Sequence, residues 1–180
     1  MDLLAVHRAH LERWRDSMNL VGPGPVESHY QDCRQALAPL TSATGRWADL
    51  GTGAGFPGMV FASRFPEVEL ELVDSRRKRC VFLEHVLAEC AAPTVTVRCA
   101  RIDELPSGAY DGVLARALAP PPEVLDHARR LLRPGGLAVL LVGPAPFEWP
   151  TGFSLAFDHR YSMGSAEHRS VGFRLVRTGA

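Results

Sequence analysis

The fold of this chain is decided by Asp49-Leu50-Gly51-Thr52-Gly53-Ala54-Gly55-Phe56-Pro57-Gly58. This stretch lies between an apolar, strand-like run and a helix-like segment, and a second strand-like run ends at Val73-Asp74. Glycines at alternate positions let the backbone turn tightly and approach a ligand, because no Cβ stands in the way. A glycine loop that opens a helix, followed by an acidic residue closing the next strand, predicts an α/β protein that binds a nucleoside.

The identity of the nucleoside depends on the acidic residues around this loop. Gly53, Gly55 and Gly58 fit the G-x-G-x-x-G pattern of dinucleotide sites, and Asp74 lies at about the spacing of a ribose-binding carboxylate. Asp49, however, stands two residues before Gly51, where a carboxylate repels a pyrophosphate but suits a sulfonium or an ammonium group. This position favours S-adenosylmethionine over NAD.

A further acidic position supports the methyl donor. Ile102-Asp103 follows the third strand-like run, where the adenine edge of a nucleoside lies in a doubly wound sheet. We expect Asp74 to accept hydrogen bonds from ribose hydroxyls and Asp103 to accept one from the adenine amino group. The alternatives are that Asp74 caps the following helix and that Asp103 belongs to a solvated loop.

Periodicity along the chain predicts strands that alternate with helices, which indicates a mostly parallel sheet covered on both faces. The N-terminal residues 1–44 read as a helical extension, and residues 45–180 as the nucleoside-binding domain. Ser75 follows a strand directly and is expected to cap the next helix. The predicted helices cover residues 3–17, 27–40, 57–64, 75–91 and 123–132, and the predicted strands cover 46–50, 68–73, 94–98, 110–115, 137–142, 155–157 and 170–176.

Composition places the chain among single-domain globular proteins. It has 180 residues, 46% of them hydrophobic, and a formal net charge of zero, so any nucleic-acid footprint must be local. No apolar run approaches the roughly 18 residues that span a bilayer, and the N-terminus lacks a signal pattern, so we expect a cytoplasmic protein without membrane contact. The four cysteines form no C-x-x-C pair, and we expect no metal site.

Several longer strings resemble the GidB/RsmG family of bacterial ribosomal RNA methyltransferases. They include DLGTGAGFPG, LVDSRRKRCVFL from Leu72, the element at 101–104, and YDGVLARAL from Tyr110, with Trp14, His29 and Asp32 upstream. GFPG after GTGAG, with DSRRKR and ARAL at these intervals, is far more specific than a glycine motif alone. The resemblance implies a Rossmann-like class I methyltransferase fold with a mostly parallel seven-stranded sheet, an antiparallel last hairpin and an N-terminal helical extension.

The same resemblance implies methylation of guanine N7 in 16S ribosomal RNA, with S-adenosylmethionine as the donor. The protein would act as a monomer, and its partner would be ribosomal RNA or the small ribosomal subunit. Two alternatives remain open, namely a relative acting on another RNA or small molecule, and a non-catalytic, ribosome-associated member. The cofactor-binding residues expected from motif and resemblance together are Asp49, Gly51, Gly53, Gly55, Phe56, Asp74, Ile102, Asp103 and Arg116.

Arginines supply the other candidate site residues. Arg116 ends a buried strand, where a charge needs a carboxylate, the donor or a phosphate as partner, and we assign it the catalytic position. Arg76, Arg77 and Arg79 lie in the densest basic run and are candidate RNA contacts, with a solvated helix face as the alternative. Arg169 in the C-terminal hairpin is a further candidate RNA contact.

One departure from the family pattern concerns the strand that ends at Val142-Gly143. The family usually has Lys-Gly there, and its lysine would point toward RNA or donor. Guanine N7 carries an in-plane lone pair, so its methylation needs no general base and depends on alignment and electrostatics. The loss of the lysine therefore bears on the rate of transfer more than on the fold.

Overall fold

The computed structural model describes residues 2–22 and 24–176. Its seven strands form one sheet in the order β3-β2-β1-β4-β5-β7-β6. The first five strands run parallel, and β7 lies antiparallel to both β5 and β6. The strands are β1 (Arg46–Leu50), β2 (Glu69–Asp74), β3 (Val95–Cys99), β4 (Tyr110–Arg116), β5 (Leu132–Val142), β6 (Phe153–Met163) and β7 (Ala166–Leu175).

Helices cover both faces of the sheet, as its buried strands require. Helices α1 to α4 contribute to one hydrophobic core, and α5 packs on the other face in a second core. This arrangement confirms the predicted mostly parallel seven-stranded sheet with an antiparallel last hairpin. The helices are α1 (Leu3–Met18), α2 (Val26–Ala36), α3 (Gly58–Arg64), α4 (Arg77–Ala88) and α5 (Pro121–Leu131), and a short 3-10 helix spans Ile102–Glu104.

The N-terminal helices share their core with the sheet. Leu11 of α1 and Tyr30 of α2 are fully buried in the cluster that also holds Phe61 of α3 and Leu83 of α4. Asp2 begins α1 by accepting a hydrogen bond from the backbone N–H of Ala5 at 2.8 Å. The division at residue 45 remains a prediction, and residues 177–180 of the second predicted unit lie outside the described part.

Some predicted boundaries were wrong for identifiable reasons. Helix α2 ends at Ala36 rather than at residue 40, because the following residues turn toward β1. Ser75 does not cap α4, since the helix begins after Arg76, whose N–H donates to Asp74 Oδ1. The last two strands are 11 and 10 residues long, well beyond the predicted 155–157 and 170–176. Most of β6 and the start of β7 are exposed or only partly buried, so their sequences carry little of the apolar signal of a strand.

Candidate functional site

A cleft of about 450 Å³ opens at the carboxyl edge of the parallel strands. Ligands of doubly wound sheets bind at this edge, where the strand order reverses between β1 and β4. The loops after β1, β2, β3 and β4 all contribute to its wall. Its lining residues are Gly51, Val73, Asp74, Ser75, Arg76, Arg79, Ala100, Arg101, Ile102, Asp103, Ala117, Leu118 and His127.

The glycine loop takes its shape from left-handed backbone conformations. Gly51, Gly53 and Gly55 have φ values of 65°, 61° and 100°, which residues with a Cβ rarely adopt. A Cβ on Gly51 would lie 2.5 Å from a methyl group of Leu118, and one on Gly55 would lie 2.9 Å from Met59. Gly51 therefore faces the cleft, whereas Gly55 faces the protein core.

Asp49 closes this loop from inside the protein. Its side chain is fully buried, and Oδ2 accepts hydrogen bonds from Thr52 Oγ1 at 2.6 Å and from the Gly58 N–H at 2.8 Å. Burial raises the pKa of Asp49 to about 6, against the lowering effect of these two bonds. The expectation that Asp49 faces a cationic ligand is not met here, because the carboxylate has no exposed surface.

His7 holds the same loop from helix α1. Its Nε2 lies 2.6 Å from the carbonyl oxygen of Ala54, and its Nδ1 lies 2.7 Å from the Tyr30 hydroxyl. A carbonyl oxygen only accepts hydrogen bonds, so Nε2 carries the proton of the neutral ring. Nδ1 then accepts a hydrogen bond from the Tyr30 hydroxyl. Burial lowers the pKa of His7 to about 4, which keeps the imidazole neutral.

Asp74 connects the loop, helix α4 and the cleft. Its Oδ2 accepts from the Gly53 N–H at 3.0 Å and from Arg79 Nη1 at 3.3 Å, while Oδ1 accepts from the Arg76 N–H at 2.9 Å. A carboxylate offers about four acceptor sites, so one remains for a ligand hydroxyl. Both predicted roles, ribose acceptor and helix cap, are compatible with this position.

The opposite rim of the cleft carries the second predicted acidic position. Asp103 lies after β3, in the 3-10 helix. Its side chain is 66% exposed, and His127 Nδ1 lies 3.7 Å from Asp103 Oδ1. Ile102 beside it offers an apolar surface to the cleft. An apolar wall with one exposed carboxylate suits a purine ring that presents an amino group.

Arg116 lies behind the glycine loop rather than in this cleft. Its guanidinium carbon is 5.0 Å from the centre of the Phe56 ring, and its Nη1 donates to Asp32 Oδ2 at 3.5 Å. The stack on Phe56 and the bond to Asp32 together fix the plane of the guanidinium. Phe56 is itself buried, so it supports Arg116 without facing the first cleft.

Arg116 opens onto a second cleft of about 390 Å³. The two clefts share Ala117, a residue with a φ of 49° directly after β4. The second cleft is lined by Asp32, Arg116, Ala117, Ala119, Pro121, Leu141, Val142, Gly143, Tyr161, Glu167 and His168. Two ligand groups that occupy neighbouring clefts can meet at the shared residue.

The predicted RNA contacts divide into exposed and engaged arginines. Arg76 and Arg77 are exposed at the start of α4, whereas the Arg79 side chain is only 27% exposed and lies against Asp74. Arg169 is buried and donates two hydrogen bonds to Asp158, at 2.7 and 2.8 Å. Arg169 is therefore held inside the hairpin and is not placed to meet a phosphate.

The structure thus brings Gly51, Asp74, Ile102 and Asp103 together around one cleft, with Asp49, Gly53, Gly55 and Phe56 shaping the loop behind them. Sequence reasoning missed Leu118 and His127, which line the cleft, and the loop support from His7 and Tyr30. Leu118 belongs to the quoted ARAL string, which was the available signal. His7 had no local signal, because its partners lie 23 and 47 residues away.

Comparison with known proteins assigns this architecture. Residues 2–151 match the family model described as "rRNA small subunit methyltransferase G". The chain belongs to the GidB family. The match covers the N-terminal helices, the glycine loop and the parallel strands, and it confirms the resemblance found in the sequence. Hairpin strands β6 and β7 lie beyond it.

Relatives in this family are similar along most of the chain. A ribosomal RNA small subunit methyltransferase G from Paracoccus denitrificans is 34% identical over 144 residues, covering 78% of this chain and 75% of the relative. One from Rhodospirillum centenum is 38% identical over 148 residues, covering 79% and 67%. The chain therefore spans about two thirds to three quarters of the length of these relatives.

Solved structures confirm the methyltransferase fold. TrmN from Thermus thermophilus superposes with a TM-score of 0.60 at 21% identity, covering 87% of this chain and 55% of that one. The 16S rRNA (adenine(1408)-N(1))-methyltransferase from Catenulisporales acidiphilia superposes with a TM-score of 0.59 at 18% identity, covering 84% and 93%. The shared feature is the Rossmann-like class I methyltransferase fold.

No group of three histidine, cysteine, aspartate or glutamate side chains in residues 2–22 and 24–176 is arranged to hold a metal ion. None of the helices in this part of the chain has both the length and the apolar character needed to cross a membrane.

Proposed function

We propose that this chain transfers a methyl group from S-adenosylmethionine to N7 of a guanine in 16S ribosomal RNA, as a cytoplasmic monomer acting on the small subunit. The observation that carries the proposal is the cleft at the ends of β1, β2 and β4, combined with membership of the GidB family. Family membership supports the RNA substrate, and the cleft supports the donor.

The residues of the cleft fit the chemical groups of the donor. Gly51 allows close backbone approach, Asp74 has one acceptor site left for a ribose hydroxyl, and Ile102 with Asp103 suits the adenine ring and its amino group. Asp49, the carboxylate expected to repel a pyrophosphate, is buried behind the loop, so the preference for S-adenosylmethionine over NAD rests on family membership. When bound, the donor supplies a methyl group on a positively charged sulfur.

The role of the protein in this reaction is to bind and align. The N7 lone pair forms the new N–C bond as the S–C bond breaks, so the positive charge passes to the purine and no proton moves. No side chain has to act as a base, so the Asp103–His127 pair at the rim of the donor cleft has no proton to transfer in this step. Rate enhancement then comes from proximity, orientation and exclusion of water.

The proposal is tested by donor binding and methyl transfer in one protein preparation. We expect calorimetry to show micromolar binding of S-adenosylmethionine and negligible binding of NAD. Asp74→Ala should weaken donor binding by about 1–3 kcal/mol, because a charge-assisted hydrogen bond to a buried carboxylate is lost. Asp126→Ala, an exposed carboxylate on α5 outside the cleft, is the matched control.

Methyl transfer is then measured on small subunits from cells that lack the gene. Mass mapping of the 16S RNA should find a single methylated guanine after incubation with the wild-type protein. Tight NAD binding without donor binding would overturn the proposal at its first step. Donor binding without methyl transfer to RNA or subunits would instead support the alternative of a non-catalytic, ribosome-associated protein.

A further inference from the structure

We propose that the second cleft is the purine pocket, in which Arg116 and His168 contact the edge of the target guanine and Asp32 positions both. This inference rests on the proposed function and assigns the acceptor side of the same site. It concerns the part of the chain beyond the family match, because Tyr161 and His168 lie in the last hairpin.

The location of the cleft follows from what methyl transfer requires. Donor and acceptor must approach within bonding distance, so the acceptor pocket has to adjoin the donor cleft. Ala117 lines both clefts, and the residue before it, Arg116, faces only the second. A purine seated in the second cleft can therefore direct N7 toward the donor across Ala117.

The shape of the cleft suits a planar heteroaromatic ring. Ala119, Pro121, Leu141 and Val142 form an apolar wall, and the polar side chains of the lining come from other elements. A mostly apolar pocket with a few convergent polar groups is the usual form of a small-ligand site. Its volume of about 390 Å³ leaves room for one base.

Asp32 is the centre of the polar group. Its Oδ1 accepts from the Tyr161 hydroxyl at 2.8 Å and lies 3.0 Å from His168 Nδ1, and Oδ2 accepts from Arg116 Nη1 at 3.5 Å. A carboxylate only accepts, so a ring nitrogen at this distance carries a proton, and the neutral form of His168 then has Nε2 as an acceptor. Asp32 thereby fixes the direction in which His168 can hydrogen-bond.

The remaining hydrogen-bonding capacity matches guanine. Within residues 2–22 and 24–176, every hydrogen bond from the Arg116 side chain leaves from Nη1, so Nε and Nη2 can donate to a ligand. Guanine O6 accepts such a bond, and guanine N1–H donates to an acceptor such as His168 Nε2. Adenine has an amino group in place of O6 and no proton on N1. It therefore offers a donor to Arg116, which also donates, and an acceptor to His168 Nε2, which also accepts. N7 stays unbonded for the reaction.

The test compares two purines at the target position of the RNA. 2-Aminopurine keeps N7 but lacks O6 and the N1 proton, so it loses both proposed bonds. We expect the wild-type protein to methylate guanine at least about a hundredfold faster than 2-aminopurine. His168→Ala should slow methylation of guanine and lower this ratio about tenfold, with donor affinity unchanged.

Further variants separate positioning from folding. Asp32→Asn should lower the same ratio, because an amide with its oxygen toward Tyr161 turns its NH2 toward Arg116 Nη1 and cannot accept from it, and Tyr161→Phe should lower it less. His85→Ala, an exposed histidine of α4 outside both clefts, should leave the ratio unchanged. Unchanged donor affinity in each variant shows that the donor cleft is intact.

The outcomes distinguish this inference from the proposed function. If the wild-type protein is active and the ratio of guanine to 2-aminopurine methylation is unchanged in both His168→Ala and Asp32→Asn, the purine pocket is wrong but the proposed function stands. Wild-type protein that binds no donor, or methylates neither RNA nor subunits, would overturn the proposed function and the pocket with it. A lowered ratio with normal donor affinity is the result that the geometry predicts.

Discussion

The two clefts that meet at Ala117 are built in different ways. The donor cleft is formed by loops that directly follow β1, β2, β3 and β4, and its glycine loop is braced from within by Asp49 and His7. The second cleft joins Asp32 of α2 to Tyr161 of β6, which lies 129 residues away in the chain. The first is thus a local motif with internal supports, and the second is a tertiary assembly.

This difference determines where substitutions act. A residue that braces the glycine loop affects stability and, through the loop, donor binding. A residue of the second cleft affects the acceptor and leaves the donor untouched. Changes to the internal supports should therefore have larger effects than changes to the surfaces that would meet RNA.

The largest effect is expected for Asp49→Ala. The change leaves the buried Gly58 N–H and the Thr52 hydroxyl without their acceptor, and we expect it to reduce the free energy of unfolding by about 3 kcal/mol. Asp49→Asn keeps an acceptor oxygen and should cost less than about 1 kcal/mol. Urea unfolding of the three proteins at pH 7 measures this, and equal stability of wild type and Asp49→Ala would refute the bracing role.

His7→Phe should have the next largest effect. The ring volume is kept, but the Ala54 carbonyl and the Tyr30 hydroxyl lose their partner, which should cost about 2 kcal/mol of stability. Donor affinity should fall several-fold, because the loop is less firmly held. His10→Phe, on the same helix and beside the exposed Glu89 carboxylate, should change stability by less than about 0.5 kcal/mol.

The pH dependence of stability separates these two supports. The pKa of Asp49 is raised to about 6, so the folded state holds the proton more firmly and stability falls as pH rises from about 4 to 6. The pKa of His7 is lowered to about 4, so the unfolded state binds more protons there and stability rises with pH from about 4 to 6.5.

The opposing slopes should largely cancel in the wild-type protein. Asp49→Asn should then show stability that rises with pH in this window, and His7→Phe should show stability that falls. Unfolding curves between pH 4 and 7 provide the measurement. Parallel profiles for the two variants would show that neither group titrates as its burial requires.

The donor cleft could be predicted from the sequence better than the second cleft, because the donor cleft is built from a local motif. Gly51, Asp74 and Asp103 were predictable, because each lies at or shortly after the end of a strand and parallel strands end at one edge. The inward turn of Asp49 was not, since its proximity to the loop is equally consistent with a ligand contact. The partners of Asp32 could not be predicted, because no local pattern relates α2 to Tyr161 and His168, which lie on the partly exposed hairpin strands.

A smaller effect is expected from the basic run at the start of α4. Replacing Arg76, Arg77 and Arg79 by Gln should lower RNA affinity and reduce its salt dependence, by roughly 0.7–0.9 in slope for each lost phosphate contact. Because Arg79 lies against Asp74, we expect two lost contacts, Arg76 and Arg77, and a reduction of roughly 1.5.

The control for this experiment replaces the same number of arginines elsewhere. Arg34, Arg133 and Arg174 are exposed and lie outside the basic run, so their replacement by Gln should leave the salt slope nearly unchanged. If both triple variants show the same salt dependence of RNA affinity, the basic run is a solvated helix face and does not contact phosphates.

The smallest effect is expected for Val142→Lys, which introduces the lysine that the family resemblance implies at this position. Val142 belongs to the apolar wall of the second cleft, and Arg116 in the same cleft already has Nε and Nη2 available to a purine oxygen. A lysine there gains the Asp32 and Glu167 carboxylates as neighbours but removes apolar surface from the base. We therefore expect methyl transfer to change by no more than about threefold, with donor affinity unaltered. A rise of tenfold or more in transfer to small subunits would show that Arg116 does not replace the family lysine, and that the second cleft lacks a cation it needs.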